Sequence, residues 1–329
     1  MVDSFKAILV TEKNDQVSYD LQNVSVNDLS EGEVLIKVAY SSINYKDMLA
    51  VQKNGGVIRN YPMIPGIDLS GTIVHTTDHR FVEGQQVIVT GFAMGMSHTG
   101  GFSEYARVPA DWIVPLPNNL TLKEAMTFGT AGFTAALSIM ALQENGMNTK
   151  NQPHILVTGS TGGVGSIAIQ LLSKIGYKNI HALVRKDHQV DIAKSLGATD
   201  VIFANELGEL KKPLNKQKYD FVLDTVGGDV ASVIIPQISY GGSMSMCGNA
   251  GGIKLTTTVL PFILRGINLL GIDSVNVPIN KRKVIWNEIA NEWNIAQTTL
   301  VNEITLDTLP ETIEAIKNGQ HLGRTIIKY

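Results

Sequence analysis

Three glycines, Gly159, Gly162 and Gly165, recur at every third position within Val157-Thr158-Gly159-Ser160-Thr161-Gly162-Gly163-Val164-Gly165. Such glycines permit a tight turn and let backbone N–H groups approach a pyrophosphate, held at a helix N-terminus where unpaired donors and the macrodipole favour an anion. The flanks suit that chemistry. Ile155 to Thr158 is a continuous apolar strand, and Val164, Ile167, Ala168, Leu171, Leu172 and Ile175 recur at helical spacing until Gly176 stops the helix. The spacing departs from strict G-x-G-x-x-G, so a glycine-rich turn without a ligand stays open as the alternative. Gly163, Val164, Gly165 and Ser166 are the expected pyrophosphate lining.

The end of the next strand bears on which dinucleotide would bind. An acidic residue there takes the ribose 2′-hydroxyl of NAD, whereas basic residues accept the 2′-phosphate of NADP. The chain reads Ala182-Leu183-Val184-Arg185-Lys186-Asp187, with Arg185 and Lys186 ahead of the acid. This order favours NADPH, the alternative being a solvated pair of charges before a helix that Asp187 caps.

These residues need a scaffold. Ile180 to Val184, Val201 to Phe203, Tyr219 to Leu223, Ser243 to Met246 and Ile267 to Ile272 read as strands alternating with helices, one of them running from Asp187 to Gly197. That alternation predicts a doubly wound parallel sheet covered on both faces. The first third differs. Short alternating runs (Phe5, Ala7, Leu9; Val34, Ile36, Val38; Thr72 to Val74; Val87 to Val89; Trp112 to Val114) predict a small β-rich domain. After Pro115-Leu116-Pro117, Thr121 and Glu124 form a capping box, which sets a boundary near Leu120. Val284 to Ile295 and Leu309 to Lys317 read as helices and Thr325 to Lys328 as a closing strand, able to cap either domain.

Composition excludes several classes. The 329 residues carry a formal net charge of −3, which offers no footprint for a nucleic-acid backbone or an anionic membrane. The N-terminus shows no cleavable leader pattern, no stretch reads as a spanning helix, and a cytoplasmic protein is expected. The most apolar window, Thr256 to Ile272, reads as buried core despite Pro261 and Arg265. Cys247 is the sole cysteine, so an intrachain disulfide and any site needing two thiolates are excluded. The seven histidines are scattered, with His75 and His79 in a turn region, and supply no evident tetrahedral metal site.

The order of motifs resembles a known family. Asn44-Tyr45-Lys46-Asp47, Pro62-Met63-Ile64-Pro65-Gly66-Ile67-Asp68, Gly101-Phe102-Ser103-Glu104-Tyr105 and the glycine turn look like the medium-chain dehydrogenase/reductase superfamily, on its zinc-free quinone oxidoreductase side. Asp224-Thr225-Val226-Gly227-Gly228, Pro261-Phe262-Ile263-Leu264-Arg265-Gly266, Gly271-Ile272-Asp273-Ser274 and Gly323-Arg324 resemble its YhdH/YhfP branch, which includes acryloyl-CoA reductases. The resemblance implies a GroES-like domain from residues 1–120 with 300–329, a Rossmann domain from 121–299, and a homodimer. Pro65-Gly66-Ile67-Asp68 stands where zinc alcohol dehydrogenases carry a Gly-His-Glu metal motif, which implies a metal-free enzyme.

Without a metal to polarise a carbonyl, reduction of an activated double bond is the easier chemistry. Hydride goes to the β-carbon of an α,β-unsaturated thioester, ketone or quinone, donors stabilise the enolate, and a proton reaches the α-carbon. The resemblance puts Tyr45 beside the nicotinamide, to orient it or to donate the proton; packing at a domain interface is the alternative. By resemblance alone, Asn249, Ile263, Ser274 and Asn318 approach the cofactor. Arg324 either meets a phosphate or is solvated, Asp68 stabilises a turn, and Lys46 and Asp47 form a local ion pair. The expected activity is an NADPH-dependent reductase of an acryloyl-CoA-like thioester. A quinone reductase and a non-catalytic dinucleotide-binding redox sensor are the alternatives.

Overall fold

A computed structural model of the chain describes residues 4–209, 212–297 and 300–329. The chain up to Thr130, with Ser274–Ala296 and Leu300–Tyr329, forms one compact unit, and Ala131–Asp273 forms a second. The first unit thus takes in 121–130 and 274–296 along with the residues expected for the GroES-like domain.

The chain begins with a hairpin, β1 (Phe5–Lys13) and β2 (Gln16–Val24), turned by Asn14 and Asp15 at φ 52° and 64°. Both residue types tolerate that left-handed backbone, whose twist matches a two-residue hairpin. Then come β3 (Val34–Ser42), α1 (Tyr45–Ala50), β4 (Asp68–Thr76), β5 (Gln86–Thr90), β6 (Tyr105–Val108) and β7 (Ile113–Pro115). The long α2 (Leu122–Glu144) opens on the expected capping box: the Thr121 N–H donates to Glu124 Oε2 at 2.8 Å, and the Glu124 N–H donates to Thr121 Oγ at 3.1 Å.

Strand and helix then alternate: β8 (Ile155–Val157), α3 (Gly163–Ile175), β9 (Ile180–Val184), α4 (His188–Ser195), β10 (Asp200–Phe203), β11 (Tyr219–Asp224), α5 (Gly228–Ile234), β12 (Ile238–Met246), α6 (Leu260–Arg265) and β13 (Asn268–Gly271). The chain closes with α7 (Ile279–Ala290), β14 (Val301–Ile304), α8 (Leu309–Lys317) and β15 (Arg324–Lys328). In the second unit six parallel strands run β10-β9-β8-β11-β12-β13. Successive strands leave β8 first to one side and then to the other, which puts a topological switch point between β8 and β11. Ile155, Leu156 and Val157 of β8 are fully buried, as a strand covered on both faces requires. In the first unit the sheet order is β14-β15-β3-β4-β5-β7, with β6 also on β3. The expected α/β class, a GroES-like β-rich part plus a doubly wound Rossmann sheet, is the class observed.

Four readings need correction. Asp187 precedes α4 but has helical dihedrals and makes no capping bond; Gln189 Oε1 instead accepts from the Arg185 and Lys186 N–H groups at 2.9 and 3.1 Å. The helix expected at Val284–Ile295 starts earlier, at Ile279 after Pro278, and ends where Asn291 leaves helical dihedrals. The window Thr256–Ile272 is core only in part: Ile267 is buried, with Phe262 and Leu269 packed against the same cluster, whereas Val259, Ile263 and Leu264 are 65%, 68% and 55% exposed, and of α6 only Pro261 is buried. Apolar composition does not distinguish a face turned inward from one left for a partner. Finally, α2 is long and apolar enough by length and composition to cross a membrane, yet 89% of its apolar window is buried, as in a core helix.

Candidate functional site

The glycine turn lies at the carboxyl end of β8. Gly159 has φ 57°, and a Cβ there would stand 2.2 Å from Thr225 Oγ1; a Cβ on Gly165 would stand 2.3 Å from the Gly159 carbonyl. Neither position has room for a side chain. Gly162 is the N-cap of α3 and has no side chain to bond the first turn, so that turn presents backbone N–H groups outward. Gly163 and Val164 are half-buried, while Gly165 and Ser166 are buried, Ser166 Oγ donating to the Gly163 carbonyl at 3.3 Å.

Side chains not singled out from the sequence hold this turn in place. Thr158 Oγ1 donates to the buried Asp224 carboxylate at 2.6 Å, Thr225 Oγ1 donates to the Thr158 carbonyl at 2.9 Å, and Asp224 Oδ2 accepts the Gly227 N–H at 2.8 Å. These bonds tie the ends of β8 and β11 together across the switch point. Burial pushes the Asp224 carboxyl up, against the lowering effect of those donors. Gln189 is a second such residue: besides bonding the Arg185 and Lys186 N–H groups, its Nε2 donates to Thr161 Oγ1 at 2.8 Å, fixing the end of β9 to the turn. Arg185 and Lys186 themselves are exposed.

The other candidates are dispersed. Asn249 is exposed in the turn after β12, where its carbonyl accepts the Gly252 N–H at 3.0 Å; Ile263 is exposed on α6. Tyr45 (41% exposed at the first position of α1), Ser274 and Asn318 belong to the first unit. The Ser274 carbonyl accepts from the buried Arg282 at 3.0 Å, and Asn318 is the exposed C-cap of α8. Cys247 Sγ bonds the Asp224 carbonyl at 3.3 Å; burial pushes its thiol up to about 12, which makes it a poor nucleophile.

The first unit buries a charged network that corrects three readings. Arg324 is not solvated: it is 1% exposed and donates to the Thr127 carbonyl at 3.1 Å, the Ile43 carbonyl at 3.2 Å and Ser42 Oγ at 2.6 Å. Asp68 is not a turn residue but fully buried, accepting from the Ser42 N–H (2.8 Å), Ser42 Oγ (2.6 Å), Asn44 Nδ2 (2.9 Å) and the Thr130 N–H (2.9 Å). Ser42 Oγ therefore relays between guanidinium and carboxylate. Asp47 does not pair with Lys46; its carboxylate accepts the Asn44 and Ile67 N–H groups at 2.8 and 3.0 Å. Burial first, and the Asp68 charge second, push the Asp47 carboxyl up to about 7. Gly129 makes the arrangement possible: at φ 51° it breaks the helical path of α2 beside Asp68, and a Cβ there would sit 2.3 Å from Ser42 Oγ. Among the described residues no group of three or more His, Cys, Asp or Glu is placed to hold a metal ion.

A parallel sheet with an open glycine turn at its switch point, joined in one chain to a GroES-like unit, defines a dinucleotide-dependent oxidoreductase. Residues 30–118 match the alcohol dehydrogenase GroES-like domain and residues 163–291 the zinc-binding dehydrogenase family. The putative quinone oxidoreductase YhfP of Bacillus subtilis is 45% identical over 98% of each chain, and the probable acrylyl-CoA reductase AcuI of Escherichia coli is 43% identical over 98% of this chain and 99% of that one. The YhdH oxidoreductase of Salmonella enterica, solved in complex with NADP, matches at 40% identity with a TM-score of 0.94, covering 98% of this chain and 99% of that one. YhfP, solved with NAD bound, matches at 44% identity with a TM-score of 0.95 and full coverage of both chains. The chain belongs to the medium-chain dehydrogenase/reductase superfamily, in its YhdH/YhfP branch, and is an oxidoreductase.

Proposed function

We propose that this chain is a zinc-independent, NADPH-dependent reductase of an activated carbon–carbon double bond, with an acryloyl-CoA-like thioester as substrate. The observation that carries the cofactor assignment is the turn itself: sterically filled at Gly159 and Gly165, without a side-chain cap at Gly162, and open at the N-terminus of α3. Gly163, Val164, Gly165 and Ser166 hold the pyrophosphate by backbone N–H groups. Arg185 and Lys186 hold the 2′-phosphate, their backbone fixed by Gln189. Asn249, Ile263, Ser274 and Asn318 are assigned to the rest of the cofactor. NADPH bound there supplies the hydride.

Tyr45 is assigned to orient the nicotinamide or to donate the proton that completes reduction at the α-carbon. Zinc independence is supported by the state of Asp68. Four donors already engage its carboxylate, and the Arg324 guanidinium reaches it through Ser42, so a metal would have to displace a completed network. A homodimer is supported by the exposed Val259 and Leu264 and by the outer edge of β13, which no strand among the described residues pairs. A GroES-like domain of residues 1–120 with 300–329, a Rossmann domain of 121–299 and a cytoplasmic location complete the proposal.

NADPH oxidation followed against acryloyl-CoA and against small quinones is the test. Turnover of the thioester at the higher kcat/KM is expected. A preference for quinones would make the chain a quinone reductase, the reading favoured by its identity to YhfP. NADPH binding without turnover of any electrophile would leave a redox sensor.

A further inference from the structure

The amino ends of the parallel strands, opposite the glycine turn, carry a second cluster of functional side chains. His154, just before β8, and His181, on β9, approach with Nδ1 of the first 2.9 Å from Nε2 of the second. Asp200, which lies directly opposite His181 in the β9–β10 register, takes the other ring nitrogen, His181 Nδ1, at 3.2 Å. The Tyr219 ring stands edge-on to His181 at 5.8 Å. The backbone beneath is fixed: the His154 N–H donates to Asp220 Oδ2 at 2.8 Å, and the Asp220 N–H donates to the His154 carbonyl at 2.9 Å.

We propose that His154 and His181 form a chelating site for a divalent transition-metal ion of the zinc class, with water in the remaining positions. With its Nδ1–H donated to Asp200, His181 carries its lone pair on Nε2, facing His154. This is the carboxylate–histidine arrangement that fixes the tautomer and ring orientation of metal-binding imidazoles. His154 Nδ1 supplies the second lone pair in the tautomer that carries the ring proton on Nε2, which the exposed ring can direct to solvent. Two ligands bound tetrahedrally at about 2.0–2.1 Å lie roughly 3.3 Å apart with both lone pairs aimed at the ion, so the head-on pair, now 2.9 Å apart, has to widen slightly and the His154 ring has to turn. The exposed His154 side chain can make that movement. Imidazole pairs suit zinc, copper and nickel over calcium or magnesium. A bound ion would staple β8 to β9, with Asp200 carrying the restraint to β10, at the end of the sheet away from the cofactor turn.

The test is calorimetric titration of the untagged, chelator-treated chain with zinc chloride. One equivalent is expected, lost in His154→Ala and in His181→Ala and weakened roughly tenfold or more in Asp200→Asn. Zinc should also raise the thermal midpoint of the wild-type chain and not that of the double alanine variant. Under copper loading, the electron paramagnetic resonance spectrum should show two coordinated nitrogens. Zinc bound equally by the wild type and the double variant would overturn the site, as would a folded wild-type chain that takes up none.

Discussion

The glycine turn of the second unit and the Arg324–Ser42–Asp68 network of the first are opposite solutions to placing polar groups. The turn holds no charged side chain and leaves its helix N-terminus open, so its polarity is backbone polarity kept for an incoming anion. The network buries an arginine and two aspartates and fills their bonding capacity from within, leaving little for a ligand. One region is built to bind and the other to hold. A buried charge with its partners in place costs desolvation, and removal of one partner exposes the whole penalty, whereas an open turn can lose its ligand without unfolding.

That contrast sets an order of effects. Arg324→Met strands Asp68 and should cost about 3–5 kcal/mol in urea unfolding; a loss below about 1 kcal/mol would mean that the network is not a structural keystone. Asp47 comes next. Its folded-state pKa of about 7 lies above its usual 3.8, so across that window the folded chain keeps a proton that the unfolded chain has lost. Stability from this group therefore falls as pH rises from about 4 to about 7, by about 4 kcal/mol at most. His321, held down to about 4 by burial and then by the Arg324 charge, gives the opposite slope: its contribution is lost as pH falls from 6.5 towards 4. Subtracting the wild-type pH profile from that of Asp47→Asn isolates the first slope, and parallel profiles would refute it.

Gly129→Ala should cost roughly 1–3 kcal/mol, because the new methyl meets Ser42 Oγ and the backbone is left-handed; calorimetric melting would reveal it. The smallest effect on stability, within about 0.5 kcal/mol, is expected for Arg185→Ala combined with Lys186→Ala on the exposed edge of the turn. That pair should nonetheless weaken NADPH at least tenfold, or about 1.4 kcal/mol, while leaving NADH nearly unchanged. Equal losses for the two cofactors would show that these charges do not read the 2′-phosphate.

The two regions also differ in how far they can be read from sequence. Strand, glycine turn and helix lie within consecutive residues and obey local sterics and periodicity, so Ile155–Ile175 was legible as a unit. Leu309–Lys317 and the Thr121–Glu124 box were legible for the same reason. The network was not, since Arg324 and Ser42 are 282 residues apart and only closure of the sheet through β15 brings them together. Read alone, Arg324 is a solvated cation, Asp68 a turn residue and Asp47 the neighbour of Lys46. Thr158 and Asp224 stand in legible motifs but their role is not legible there, and Gln189 stands in none, because the work of all three is to hold the turn rather than to bind. His154 and His181 look scattered in the chain and meet through parallel register. The 256–272 window misled for a different reason: hydropathy records that a surface avoids water and not what covers it.

The central claim is that an NADPH pyrophosphate rests on the Gly159–Gly165 turn. Its most direct test is fluorescence titration of NADPH into the wild-type chain and into Gly163→Asp, which places a carboxylate where the phosphates should lie. Saturable binding to the wild type, and none to a Gly163→Asp protein with an unchanged thermal midpoint, is the predicted result. Equal affinity in the two proteins would contradict it.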